Sequence, residues 1–196
     1  NNSGGGISIF NATTVNIAGN YIGLNASGTG SHGNTGAGIF IAGAGGGSQI
    51  TSLTIGGDGT AAAARNFIAN SIGAGGHGIY VGATASGATV AIKSNIIGLA
   101  SDLVTAAANA ATGIYIMAPA NYTIGSNGDG SNDSTEYNVI SNSASVGGIQ
   151  VINGVLTAII AGNIIGLASS DSGSTWTTAA ANVGIGLSVA CNSLTA

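Results

Sequence analysis

The residues that could do acid–base or metal chemistry are few and scattered. Asp58, Asp102, Asp129, Asp133, Asp171 and Glu136 are the acids, Arg65 and Lys93 the strong bases, and His32 and His77 the imidazoles. A glycoside hydrolase needs two carboxyls close together on one face, one tuned as an acid. Every acid here falls in a segment that reads as a loop. Asn127-Gly-Asp129-Gly-Ser-Asn132-Asp133, with Glu136 nearby, is the densest set of oxygen ligands. Asn127, Asp129 and Asp133 make it a candidate calcium loop, although it lacks the spacing of a recognised motif. A polar turn is the competing reading, and the shorter Gly56-Gly-Asp58-Gly suggests that such a turn recurs. No other cofactor is expected. His32 and His77 have no acidic or cysteine partner in sequence, and no motif joins Ser, His and Asp into a triad. Both read as exposed loop histidines. The runs Gly4–Gly6 and Gly45–Gly47 lack the strand–loop–helix context of a phosphate cradle.

Composition narrows the classes further. Charged residues are only 4% of 196, against about 25% in an average soluble domain. With a net charge of −4 and two basic side chains, the surface cannot neutralise many phosphates, so no nucleic-acid partner is expected. No apolar run approaches the ~18 residues of a membrane span. Cys191 is the single cysteine, which rules out a disulfide within one chain. Abundant Asn, Ser and Thr with few charges point to an extracellular or cell-surface protein. The absence of an initiator methionine and of a signal-peptide pattern suggests a mature or excised product. Four glycosylation sequons, at Asn11, Asn25, Asn121 and Asn132, are expected by chance in such a composition.

What must position these residues is a repeat. Val15–Leu24 returns as Val90–Leu99 and again as Ala158–Leu167, at intervals of 75 and 68 residues. A second phrase, Gly-Ile-x-apolar, occurs at Gly6–Ile9, Gly38–Ile41, Gly78–Val81, Gly113–Ile116, Gly148–Val151 and Gly184–Leu187. Between successive marks lie two more short strands. The first covers Val15–Ile17, Leu53–Ile55, Val90–Ile92, Tyr122–Ile124 and Ala158–Ile160. The second covers Asn20–Ile22, Asn66–Ile68, Asn95–Ile97, Asn138–Ile140 and Asn163–Ile165. Ile, Val, Thr, Asn and Gly dominate while helix formers are nearly absent, which favours strands joined at Gly/Asn corners.

The expected fold is all-β: one parallel β-helix domain over 1–196, with about five to six rungs of three short strands. Parallel crossovers are overwhelmingly right-handed, so a right-handed coil is expected. At ~4.8 Å per rung the stack is about 25 Å tall. Odd turns carry their loop after the third strand, at Asn25–Ala37, Ala100–Thr112 and Ala168–Val183. Even turns carry it before the third strand, at Gly56–Ala64 and Gly125–Glu136.

The Gly-Ile-x-Ile, x-Ile-x-Gly-Asn-x-Ile-Gly and Asn138-Val-Ile-Ser-Asn142 phrases resemble the parallel β-helix repeats of bacterial surface and secreted proteins, with the pectin-lyase-like fold. The resemblance covers nearly the whole chain and specifies the coil rather than an activity. Members of that group include polysaccharide lyases and hydrolases, tailspikes, adhesins and structural repeats. Its lyases use calcium-binding Asp clusters and a basic residue on outward strand positions. Here no Asp lies on a strand, Arg65 opens a third strand and Lys93 sits at a corner, so enzymatic activity is not expected.

Two columns follow from the repeat. Asn20, Asn66, Asn95, Asn138 and Asn163 recur at one corner, where stacked amides would form an asparagine ladder; a ligand-binding row is the alternative. The outward position of Gly-Ile-x-Ile holds Ser8, Phe40, Tyr80, Tyr115, Gln150 and Gly186. The aromatic run Phe40, Tyr80, Tyr115 either lies beneath the chain's own loops or meets glycans or a protein neighbour. An ice-binding solenoid would show Thr-x-Thr on successive rungs, and Thr13, Thr54, Thr89, Thr123 and Thr157 do not form such doublets. Neither end shows a capping helix or charged cap, so open strand edges are expected. Stacking on another copy, or on more of the same chain, would cover them, and head-to-tail contact of this kind makes fibres. A structural filament or surface-layer subunit is therefore the first expectation, and a glycan-binding adhesin or tailspike-like module the alternative.

Overall fold

A computed structural model describes residues 2–42, 49–152, 155–190 and 193–195. Gly45–Gly47 and Cys191 lie outside them. The chain is a parallel β-solenoid of five complete turns and part of a sixth. The first turn is β1 (Ile7–Ile9), β2 (Thr14–Ile17) and β3 (Tyr21–Ile22); the second is β4 (Ile39–Ile41), β5 (Ser52–Gly56) and β6 (Phe67–Ile68). The third is β7 (Ile79–Val81), β8 (Ala88–Lys93) and β9 (Ile96–Ile97), and the fourth β10 (Ile114–Ile116), β11 (Ala120–Gly125) and β12 (Val139–Ile140). The fifth comprises β13 (Gly147–Val151), β14 (Thr157–Ala161) and β15 (Ile164–Ile165), followed by a hairpin of β16 (Leu167–Ser169) and β17 (Trp176–Ala179). The sixth holds β18 (Ile185–Val189) and β19 (Leu194–Thr195). There is no α-helix among the described residues, only a 3-10 turn at Ala62–Ala64.

Strands stack by position within the turn. The first sheet runs β1-β4-β7-β10-β13-β18, the second β2-β5-β8-β11-β14-β19, the third β3-β6-β9-β12-β15. Alternation sends Ile39 and Ile41, Leu53 and Ile55, or Val90 and Ile92 into a core where each is at most 1% exposed. Three inward-facing rows close one hydrophobic interior along the stack. Tyr122 brings a phenol into it, and its hydroxyl donates to the Ala118 carbonyl at 3.2 Å. Burial pushes that phenol well above its usual range.

The Gly-Ile-x-Ile phrase has a steric cause. A Cβ on Gly6, Gly38, Gly78, Gly113 or Gly148 would lie 2.6–2.8 Å from the carbonyl oxygen of the next glycine in the column, and 2.4–2.9 Å from an isoleucine Cγ2. The column needs the smallest residue on each of the first five rungs; at Gly186 on the sixth, the nearest atom to a Cβ would be 3.6 Å away. The column also corrects the last mark. Gly148 backs onto Gly186, Ile149 pairs with Leu187, and Gln150 pairs with Ser188. The in-register phrase is Gly186–Val189, two residues beyond Gly184–Leu187, so the outward position of the sixth rung is Ser188 rather than Gly186.

Loops follow the alternation expected from the sequence, with added order. Odd-turn loops are small hairpins, closed by antiparallel pairing of Leu24 with Ser31, Leu99 with Ala106, and β16 with β17. They lie on one another two turns apart: Ser101 N–H donates to Gly28 O, and Ser169 N–H to Leu103 O, both at 2.9 Å. Beneath them a satellite core of Ile96, Leu99, Leu103, Val139, Ala168 and Ala180 covers the outer face of the third sheet. Even-turn loops also touch, Thr135 Oγ1 donating to Gly59 O at 2.9 Å.

Candidate functional site

The asparagine corner is a continuous ladder. Each Nδ2 donates to the next Oδ1, from Asn20 to Asn66 (3.0 Å), Asn66 to Asn95, Asn95 to Asn138 and Asn138 to Asn163 (each 2.9 Å). The amides also bind backbone: Asn66, Asn95, Asn138 and Asn163 donate to the carbonyls of Ile17, Ile55, Ile92 and Ile124 at 2.7–2.9 Å. These bonds tie the second sheet to the third at every corner. The middle amides are wholly buried, with Asn66, Asn95 and Asn138 at 0% exposure, so they are internal stays rather than a ligand row.

A second polar corner escapes the sequence reading. Asn2, Asn34, Ser71, Asn109, Ser143 and Asn182 succeed one another between the third and first sheets. Asn109 Oδ1 accepts the Ser71 N–H at 3.0 Å, and Asn182 Oδ1 accepts the Ser143 N–H at 2.9 Å. Alternation of Asn with Ser hides the column, and its members sit inside loops of unequal length.

The candidate calcium loop is closed on its own donors. Asp133 accepts the Ser126 hydroxyl (2.6 Å) and the N–H groups of Gly128 (3.0 Å) and Gly130 (2.9 Å). Those bonds, the Ser126 hydroxyl foremost, hold its carboxyl below the usual 3.8. Asp129 accepts the Ser131 N–H and the Asn127 amide, and Asn127 Oδ1 accepts the Asp129 N–H. Glu136, 3% exposed, is bonded to Lys93 Nζ at 2.7 Å and to the Asn127 N–H at 3.1 Å. Among the described residues no three of His, Cys, Asp and Glu gather as metal ligands.

Of the remaining acids, Asp58 accepts the Thr60 N–H and hydroxyl in an even-turn loop, and Asp102 and Asp171 staple odd-turn hairpins. Asp102 Oδ1 accepts the N–H groups of Val104 and Thr105, and Asp171 Oδ1 those of Ser174 and Thr175. Asn25 fills the same role in the first hairpin. The Thr175 hydroxyl and N–H lower the Asp171 pKa; burial raises that of Asp102, but its bonds from Thr105 and Val104 together outweigh it. Arg65 lies 5.1 Å from the centroid of the Tyr137 ring, which meets Trp176 edge-on. Both bases are thus engaged within the chain.

The aromatic column runs as the spacing predicts and is longer. Phe40 and Tyr80 stack at 5.0 Å, Tyr80 and Tyr115 lie 5.5 Å apart, and Phe10 tilts onto Phe40 at 6.0 Å. Phe40, Tyr80 and Tyr115 are half-buried. His77 is no free loop histidine: it stacks on Tyr115 at 4.7 Å with ring planes 6° apart, and its Nδ1 accepts the Thr112 N–H. The stack reaches it because β7 begins two residues later at Ile79. Burial lowers its pKa below the usual 6.5, and the Thr112 bond requires the neutral ring. The ring faces turn toward one another along the coil axis. A hollow of about 380 Å³ opens beside Phe10 and Phe40, walled by Gly4, Gly5, Gly36 and Gly75. His32 is exposed and lines a second hollow of about 310 Å³ at the first rung, with Ile7, Asn20, Tyr21 and Asn34.

Comparison with protein-family models, curated proteins and solved structures gives no match to this chain. The class rests on the fold: a repeat protein of the parallel β-solenoid type, stayed by internal asparagine and glycine columns and an outward aromatic one.

Proposed function

We propose that this chain is a non-enzymatic, extracellular structural protein whose β-helix assembles head to tail into a filament or surface layer. The observation that carries the reading is the pairing of the end strands. Among the described residues, β1, β2 and β3 at one end, and β18 and β19 at the other, are hydrogen-bonded on one side only. Tyr21 at the first rung and Ile185 and Leu194 at the last are 48%, 58% and 45% exposed. Low charge leaves little repulsion to oppose stacking. The resemblance of the repeat phrases to bacterial surface β-helix repeats supports the same reading. Negative-stain electron microscopy of purified protein tests it. Thin fibres that Tyr21→Lys or Ile185→Lys abolish, without loss of melting temperature, are the expected result. Single short rods at every concentration would overturn it and leave the edges to further rungs of a longer chain.

A second reading, a glycan-binding module, is favoured by the hollow beside Phe40. Retention on a glycan array that is lost in Phe40→Ala would support it; no binding to any glycan would end it.

A further inference from the structure

The outward face of the second sheet differs from the other two. The first sheet carries the aromatic column, and the third is covered by the odd-turn hairpins. In the second sheet, β2, β5, β8, β11, β14 and β19 pair in one parallel register without a bulge. One outward column runs Thr14, Ser52, Thr89, Asn121, Thr157. Two residues further along each strand a second runs Asn16, Thr54, Ala91, Thr123, Ile159, Thr195. No rung carries Thr-x-Thr, as the sequence indicates; instead each of the first five rungs places one threonine in one or other column, with Asn, Ser, Ala or Ile at the other position, and Thr14 rather than Thr13 holds the first.

No position in either column is charged, and each is exposed or half-exposed. The hydroxyls of Thr14, Thr54, Thr89 and Thr123 bond to no protein group among the described residues. Thr157 does so, donating to Asn121 Oδ1 at 2.8 Å within its own column. Columns lie ~6.6 Å apart along the strands and rungs ~4.8 Å apart across them. β-Branching restricts each threonine at χ1, so hydroxyl and methyl project in few orientations. The result is a neutral two-dimensional lattice of hydrogen-bonding and apolar groups.

Such a face lacks what other ligands need. Neither column holds a charged side chain for a polyanion or a ring face for a sugar; Lys93 at the end of β8 is paired with Glu136, and a hollow of about 300 Å³ lies at the edge of the first two rungs, beside Asn16, Thr54 and Asp58. Its counterpart is itself flat, neutral and periodic, with donors and acceptors a few ångströms apart. Ordered water at an ice surface has that character, and methyl groups between hydroxyls hold first-layer waters in place. We propose that the outward face of the second sheet binds ice. The inference is independent of assembly through the end rungs, because this face is lateral and head-to-tail stacking would lengthen it.

The test uses the full chain in ice-recrystallisation and ice-partition assays. The expected result is that ice grains stay small and the protein enriches in the ice. Thr54→Tyr with Thr123→Tyr, with unchanged circular dichroism, should lose both effects, whereas Val104→Tyr on an exposed hairpin should keep them. Should the tyrosines prevent folding, Thr89→Lys places a charge in the face and carries the same expectation. No effect of the wild-type chain on ice, or equal activity in folded face variants, would overturn the proposal. So would binding to crystalline cellulose or chitin that the same variants lose in the absence of ice activity, which would assign the face to an insoluble glycan.

Discussion

A Cβ placed on Gly78 would stand 2.6 Å from the carbonyl oxygen of Gly113, and equally close to Ile97 Cγ2. Backbone lies on one side and core on the other, so neither yields cheaply. Gly78→Ala should destabilise the fold by at least about 2 kcal/mol. Gly75→Ala, where nothing lies within 4 Å, should stay within about 0.5 kcal/mol of wild type. Urea unfolding of the two variants side by side makes the comparison; equal midpoints would refute the steric account of the glycine column.

The asparagine ladder should be worth most where it is most buried. Asn95→Ala removes the acceptor of Asn66 and the side-chain donor to Asn138 Oδ1 and the Ile55 carbonyl, while the backbone N–H of residue 95 still reaches Asn138 Oδ1. Leaving buried amide groups unpaired costs ~1–3 kcal/mol each, so a loss of about 3 kcal/mol is expected. Asn20→Ala, on the first rung, should cost less than about 1 kcal/mol. Denaturation midpoints that fall equally would show the corner to be uniformly tolerant.

The buried ion pair should be more costly to break than to remove. Glu136→Gln leaves the Lys93 ammonium without its counter-charge and should cost about 3 kcal/mol. Replacing both, Lys93→Met with Glu136→Leu, should recover much of that loss. A double variant less stable than the single one would contradict this.

Two pH limbs are expected. His77 has a depressed pKa, so the unfolded chain takes up protons first as pH falls below 6.5, and stability declines until the folded value is reached. His77→Gln should remove that limb. Asp58, Asp133 and Asp171 also have depressed values. Their contribution is present above the ordinary 3.8 and is lost as pH falls through their lower folded values. Melting temperature against pH, in wild type and His77→Gln, separates the limbs; identical curves would discount the histidine.

Much of this was legible in the sequence because the coil is written in local repeats. Gly-Ile-x-Ile marked the first sheet on five of six rungs, and the Asn-apolar-Ile phrase placed both the third sheet and its ladder. The last first-sheet mark slipped by two residues, since Gly184 and Gly186 read alike in sequence and only the next rung's backbone distinguishes them. His77 reads as isolated because its partner, Tyr115, stands one turn away.

The sequence alone determined the period, the inward isoleucines and the corner residues, because these are set by alternation and by small or turn-forming residues at fixed offsets. The tertiary structure decided which side chains meet across rungs. Stacking joins residues about 35 positions apart through loops of unequal length, so column membership depends on register. That is why the Asn2–Asn182 corner, the stacking of His77 and the two outward columns of the second sheet emerge only when the rungs are laid on one another.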